Sequence, residues 1–444
     1  MPKEWVIVLR SVMAITLVCL SFLSQAIINF WPKRTHPSQF SDLGIIVAYL
    51  AGRALAILIF HFVLKLPVLG DLVGVYIQHA IKIPQGGIPY KDFESPYGFL
   101  FSYLIYLLLE IWHSHRVVIL FGMAMDAVLI AFLLACMRIC NVPQTQRLLV
   151  AVLVFFNPLQ FSHVTILGSN QHWLTAVAAV AFYLILRDRE LSAGAILGFA
   201  VAWIKLTIGL FVPPFLISTR RPVAFLAACG GTVIVYVLIL WASQIDPFFP
   251  LINQFIGYDE VMTNNIWFYL ELFLSRQTKL VLSKIFLPAV LSAIAVLILG
   301  VVYRNRRAVH DDRDYKTMLS FLVLLWSCFM AFSLKSNSWY FVAVIPFAYW
   351  WALDVARHGM HYLITIYGGF ACLNMSIHAL LFTEESITQI MQRGTLMAWT
   401  FLMIDFAMLV IEIALIVEAA SLLLRNGQMT SVFRPTHPTP RLPK

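Results

Sequence analysis

The chain has 444 residues, of which 61% are hydrophobic and only 12% charged, against about 25% charged in a soluble domain. A surface that apolar cannot be kept in water, so the composition excludes a soluble globular protein and makes the bilayer the solvent. The formal charge of +9 does not point to nucleic acid, because the basic residues fall in short clusters between apolar runs. Cytoplasmic loops under the positive-inside rule look like that, with anionic lipid as their electrostatic partner.

Backbone inside lipid must satisfy its own hydrogen bonds, and the apolar runs are too long and continuous for barrel strands. The expected fold class is therefore all-α, a polytopic transmembrane helix bundle. In chain order the runs fall at 11–31, 43–69, 97–112, 117–137, 148–167, 173–186 and 192–217. Others follow at 223–241, 280–303, 318–334, 339–353, 362–382 and 397–424. Measured against the length of a crossing helix, they predict roughly 11–13 spans. The first run is long for a signal peptide and lacks a small-residue cleavage site, so it is read as a span. The run 192–217 is interrupted by Lys205 and by Pro213 and Pro214, which predicts a re-entrant hairpin rather than one crossing.

Lys and Arg clusters at 304–307, 220–221, 187–189 and 113–116, with Arg357 and the tail, are expected on the cytoplasmic side. That puts the loops 70–96, 244–265, 334–338 and 383–393 outside. Arg187 with Arg221, and Arg116 with Arg138, then flank single apolar stretches from the same side, which is a conflict of parity. Cys19, Cys136, Cys140, Cys229, Cys328 and Cys372 lie mostly in apolar stretches. Cys136 and Cys140 have helical spacing, but no second Cys/His pair completes a zinc site, so all six read as small core residues.

The most informative stretch is the loop after the second run. It opens with Asp71 and Tyr76 and continues as Gly86-Gly-Ile-Pro-Tyr-Lys-Asp-Phe-Glu-Ser-Pro-Tyr-Gly98. Asp71 stands where a span meets water, a place suited to a general base that takes a proton from a hydroxyl. Lys91, Asp92 and Glu94, with Tyr90 and Tyr97, gather the groups to grip a phosphate, bind sugar hydroxyls and stack on a sugar face. The plainer reading is an interfacial loop with tyrosine anchors and Gly-Pro turns. No nucleotide-binding glycine loop occurs, which argues against a nucleotide-linked donor. Asp92 and Glu94 leave a divalent cation open as a cofactor, with no compact acidic pair committed to one.

These residues resemble the first extracytoplasmic loop of glycosyltransferases of the C-type (GT-C) fold, nearest to the polyprenol-phosphate-mannose-dependent mannosyltransferases. The likeness rests on Asp71, Tyr76, Gly87-Ile-Pro-Tyr-Lys-Asp-Phe93 and Tyr97, then on Asn157-Pro158 with Gly168-Ser-Asn-Gln171. A third block runs from Ala193-Gly194 through Trp203-Ile-Lys-Leu-Thr207 to Pro213, and a looser fourth is Asn337-Ser-Trp-Tyr340 with Pro346. Departures exist: Ile208 stands where the family places a proline, Gly98 follows Tyr97, and a helix precedes the first core span. Among Asn170, Gln171 and His172 the bearer of the family role is open.

The resemblance implies a GT-C catalytic module over 43–221, an extra helix and linker over 1–42, variable helices over 222–424 and a basic cytoplasmic tail over 425–444. It implies inverting transfer of mannose or a similar sugar from a polyprenyl-phosphate donor to a lipid, glycan or protein hydroxyl. The expected place is a bacterial inner membrane with the site facing the periplasm, and Asp71 takes the base position. Lys205, aligned with the family's lysine, is expected on the phosphate. Trp339 and Tyr340 are either an aromatic belt or a wall of the donor pocket, with Lys335 near the phosphate. Arg53 reads as a snorkelling residue, Asp126 awaits a partner within the bundle, and Glu412 and Glu418 belong to helix packing or to the cytoplasmic end. His163 and His172 flank the 168–171 turn, and Asp246, Asp259 and Glu260 lie in an outer loop as a solvated surface or an acceptor surface. The other functional classes are a flippase of lipid-linked glycans, which would show paired half-repeats, and a non-catalytic assembly subunit.

Overall fold

A computed structural model describes residues 3–30, 41–66, 68, 71–248, 263–305, 315–334, 337–381 and 386–425. Gly70, Asp259, Glu260, Lys335 and the 426–444 tail lie outside the described residues. The elements run α1 (Lys3–Phe30), α2 (Asp42–Ile57), α3 (Gln78–Ala80), α4 (Phe99–Ile111), α5 (Arg116–Ile139), α6 (Gln144–Phe156), α7 (Pro158–Ser162), α8 (Gln171–Leu186) and α9 (Glu190–Trp203). They continue as α10 (Val212–Phe215), α11 (Pro222–Ala242), α12 (Ile266–Leu270), α13 (Arg276–Asn305), α14 (Tyr315–Phe332), α15 (Ile345–Asp354), α16 (Met360–Leu381), α17 (Ile387–Arg393) and α18 (Leu396–Arg425). Short π and 3-10 turns join several of them, and the described residues hold a single isolated bridge, Pro89 to Phe93, in place of any strand. The protein is the all-α membrane bundle that the composition requires.

Among the described residues, seven helices are long and apolar enough to cross a membrane, and α6 with α7 makes an eighth if that pair, bent by 59°, is one span. The remaining runs form shorter apolar helices, including Phe99–Ile111, Gln171–Leu186 and Glu190–Ala202. Fewer straight crossings result than the apolar stretches suggest, because polar and proline positions interrupt them. At the α6–α7 break, Asn157 caps the new helix with Oδ1 accepting from Leu159 N and Gln160 N, both at 3.1 Å, and Pro158 takes the first helical position.

The run 192–217 is a hairpin. α9 stops at Trp203, Lys205 is extended (φ −161°, ψ 130°), and a 3-10 turn Leu206–Phe211 leads into α10. The returning chain ends at Arg220, whose backbone N–H donates to Glu190 (3.3 Å) and whose guanidinium pairs with Asp188 (3.2 Å). Departure and return therefore lie together, which removes the conflict between Arg187 and Arg221. Tight packing of α9 on α11 needs Gly194 and Gly198: a Cβ there would come 2.2 Å from Phe225 O and 2.1 Å from Thr232 Oγ1.

The second conflict resolves by a correction. Arg116 packs over the Phe62 ring (4.6 Å), beyond the end of α2 that leads to Asp71, whereas Arg138 reaches Asp42 (3.7 Å) at the other end of α2. The two arginines therefore sit at opposite ends of α5, and the cluster 113–116 does not share a side with Arg138. The run 97–112 is likewise no crossing. It starts at Tyr97 beside Asp71 and ends at Trp112, stacked on Phe62 at 6.4 Å, so both its ends stay at the Asp71 end.

Arg53 does not snorkel. It is fully buried and pairs with Asp126 at 3.2 Å. Tyr49 also donates to Asp126 (2.8 Å), as does Gln160 Nε2 (3.2 Å). Phe155 and Phe161 cover the guanidinium. This cluster fastens α2, α5 and α7 together just below the polar end of the bundle.

Candidate active site

A π-helical turn, Leu72–Ile77, begins at Asp71, which is half-buried, and carries Tyr76 into the core. The Tyr76 hydroxyl accepts from Asn170 N at 3.1 Å. That contact requires the chain after α7 to approach closely, and Gly168 permits it. Gly168 is left-handed (φ +59°), and a Cβ there would lie 2.7 Å from Leu72 Cδ2.

Tyr97 sits in the middle of the site. Its hydroxyl donates to Asp71 Oδ2 at 2.7 Å, and its ring meets Tyr76 edge-on at 5.0 Å. Burial first, then the neighbouring Tyr76 phenol and the Asp71 carboxylate, raise the Tyr97 phenol well above its usual range. Tyr97 is thus a fixed donor and Asp71 the acceptor. Over the ring lies Lys205, buried, with Nζ 5.2 Å from the Tyr97 centroid and 4.5 Å from that of Tyr340. Gly98 N donates to Ile204 O at 2.7 Å, which holds the loop against the α9 hairpin.

Asn170 and Gln171 are buried beside this group. Neither side-chain amide has a hydrogen-bond partner among the described residues, at oxygen or at nitrogen. Buried amides are ordinarily satisfied, so these two stand out as candidates for contact with a polar ligand. His172 differs: its Nε2 contacts Gly122 O at 3.0 Å, which turns it toward α5. Trp339 and Tyr340 are half-buried in the 3-10 turn Ser338–Ala343, and the Tyr340 ring faces Lys205.

The loop residues divide. Tyr90 donates through its hydroxyl to the Tyr97 carbonyl and so braces the site. Asp92 is exposed and accepts from Ile88 N at 2.8 Å, closing its own turn, while Lys91 and Glu94 are exposed. Thr207, buried with an unpartnered hydroxyl two residues beyond Lys205, was not singled out from sequence. Neither was Ser169, and a threonine or serine in an apolar run carries no signal of its own. Among the described residues no three His, Cys, Asp or Glu side chains gather as metal ligands would.

The fold is that of a polytopic membrane protein, with a carboxylate, an ammonium and open amides gathered at one end of the bundle. Residues 96–333, more than half of the chain, match glycosyltransferase family 87, and the chain belongs to that GT-C-type family. It is a multi-pass membrane glycosyltransferase. The matched segment contains Tyr97, Asn170, Gln171 and Lys205, and begins after Asp71 and Tyr76. No curated protein matches the chain.

Proposed function

We propose that the enzyme transfers mannose or a similar sugar from a polyprenyl-phosphate donor to an acceptor hydroxyl at the extracytoplasmic face, with inversion and with Asp71 as general base. One observation carries this reading: Tyr97 links Asp71, bonded to its hydroxyl, with Lys205, which lies over its ring. The acceptor oxygen attacks the anomeric carbon, and its proton passes to Asp71. The bond from that carbon to the phosphate oxygen breaks, and Lys205 stabilises the departing phosphate. Asn170 and Gln171 offer donors and acceptors to the sugar. The prenyl tail stays in lipid, which accounts for a site at one end of the helices rather than in a water-filled domain. This sidedness is supported by Arg138 and Arg147, which gather on Asp42 at the opposite end from Asp71, the end that the positive-inside rule favours as cytoplasmic. The reading places the protein in a bacterial inner membrane with the site open to the periplasm.

The test is Asp71→Asn, with transfer measured from a polyprenyl-phosphate sugar. Loss of general-base catalysis lowers the rate by about 10²–10⁴-fold. A variant that folds and transfers at near wild-type rate removes Asp71 from the base position.

A further inference from the structure

By residue type Tyr97 is a platform for stacking on a sugar, but its surroundings leave little of the ring open. The residue is 3% exposed. Tyr76 meets the ring edge-on at 5.0 Å, Phe101 packs against it at 4.6 Å, and Lys205 Nζ lies over it at 5.2 Å. What Tyr97 does in the site must therefore pass through the groups it touches.

Its hydroxyl and its ring touch different ones. The hydroxyl donates to Asp71 Oδ2 at 2.7 Å. Among the described residues no other group donates to that carboxylate, and Asp71 makes no side-chain cap bond to the turn it begins. Asp71 is half-buried, so this one charge-assisted bond sets its orientation: Oδ2 is held and Oδ1 is presented. The ring, in contrast, meets a cation. Lys205 Nζ lies 5.2 Å from the Tyr97 centroid and 4.5 Å from that of Tyr340, inside the range of about 6 Å over which a ring attracts an ammonium. A lysine head rides on a flexible four-carbon stem, and two rings together fix where it rests. The backbone keeps both arrangements in register. Gly98 N, next to Tyr97, donates at 2.7 Å to the carbonyl of Ile204, next to Lys205, and the Tyr90 hydroxyl bonds the Tyr97 carbonyl.

We propose that Tyr97 is a positioning residue with two separable ends: its hydroxyl aims Asp71 so that Oδ1 takes the acceptor's proton, and its ring, with that of Tyr340, seats the Lys205 ammonium for the donor phosphate. The inference rests on the reading above of Asp71 as base and Lys205 as phosphate ligand. It assigns the two halves of one side chain to two kinetic constants, the hydroxyl to kcat and the ring to the KM of the donor.

The experiment uses the full-length protein in membrane vesicles from cells lacking the chromosomal copy, which supply the acceptor, with polyprenyl-phosphate mannose as donor. Rates are normalised to the amount of enzyme. Tyr97→Phe keeps the ring and removes the hydroxyl, so kcat falls roughly 10–100-fold while the donor KM stays within about twofold. Tyr340→Leu removes a ring and keeps the bond to Asp71, so the donor KM rises roughly 3–30-fold while kcat holds. Tyr97→Leu shows both changes; should it fail to fold, the near-isosteric Tyr97→Phe and the half-buried Tyr340→Leu still test one end each. Because the hydroxyl acts through Asp71, adding Tyr97→Phe to Asp71→Asn costs no further rate. A Tyr97→Phe variant with wild-type kcat, one whose donor KM rises as much as its kcat falls, or a full further loss on the Asp71→Asn background overturns the proposal. If Asp71→Asn is slow while Tyr97→Phe is not, only this inference fails; if Asp71→Asn transfers at the wild-type rate, the base and this inference fall together.

Discussion

Two kinds of buried polar cluster in this bundle look alike in composition and differ in completion. Around Asp405 every carboxylate oxygen is engaged: Asn264 N (2.9 Å) and Tyr269 OH (2.8 Å) on one, Asn374 Nδ2 (2.9 Å) on the other. Arg53 and Asp126 are tied to Tyr49, Gln160 and each other, with Arg53 Nη1 and Gln160 Oε1 left open. Around Lys205 the side-chain amides of Asn170 and Gln171 and the hydroxyl of Thr207 stay open. Polar groups that hold helices together satisfy one another, because an unmade hydrogen bond in a low-dielectric interior is costly. In the structural clusters the open atoms are single ones on side chains otherwise engaged, whereas the amides of Asn170 and Gln171 are open at oxygen and nitrogen alike, and the contrast is one of degree.

Substitutions in the two clusters break or sharpen that contrast. The largest effect is expected at Arg53→Met, which strands Asp126 in the core. Losing one partner of a buried pair costs about 3–5 kcal/mol, seen as a large fall in the unfolding temperature in detergent. An unchanged temperature would mean that the pair does not fasten α2 to α5. Next is Lys205→Ala. A charge-assisted hydrogen bond to phosphate is worth about 1.5–3 kcal/mol, so the KM for donor rises roughly 10–150-fold with little change in unfolding temperature. Donor dependence equal to wild type removes Lys205 from the site.

Smaller still is the pair Asn374→Ala and Gln171→Ala. The first loses a made bond and costs about 1–2 kcal/mol of stability. The second removes an amide that binds nothing in the protein, so stability holds within about 0.5 kcal/mol while transfer falls. Reversal of that pattern would undo the distinction between the clusters. The smallest effect belongs to Lys91→Ala. Its side chain is exposed on the loop, and donor use should change less than about threefold, below 1 kcal/mol.

Much of this was legible in the sequence because lipid enforces simple rules. Long apolar runs became helices, Asn157-Pro158 broke one of them, and Lys205 with two prolines turned another into a hairpin. Asp71, Tyr97 and Lys205 were picked out by type, position and resemblance, yet their meeting through one tyrosine ring joins positions that are 26 and 108 apart in the chain. The partner of Asp126 was not legible for a similar reason. Arg53 lies 73 residues away, and no local pattern encodes that pairing. α4 misled because apolar content signals burial in lipid or protein but not direction. Its ends, fixed by Asp71 and Phe62, are at one side of the bundle. Lys91, Asp92 and Glu94 were grouped by adjacency in the loop, whereas the turn closed by Asp92 leaves all three exposed.

The most direct measurement is a cryo-EM map of the full-length protein with a polyprenyl phosphate bound. The account predicts the phosphate within about 3 Å of Lys205 Nζ, beside Asn170 and Gln171, with Asp71 facing it across Tyr97. A phosphate seated at the Asp42 end, or held by the loop at Lys91 with Lys205 turned away from it, would contradict the account.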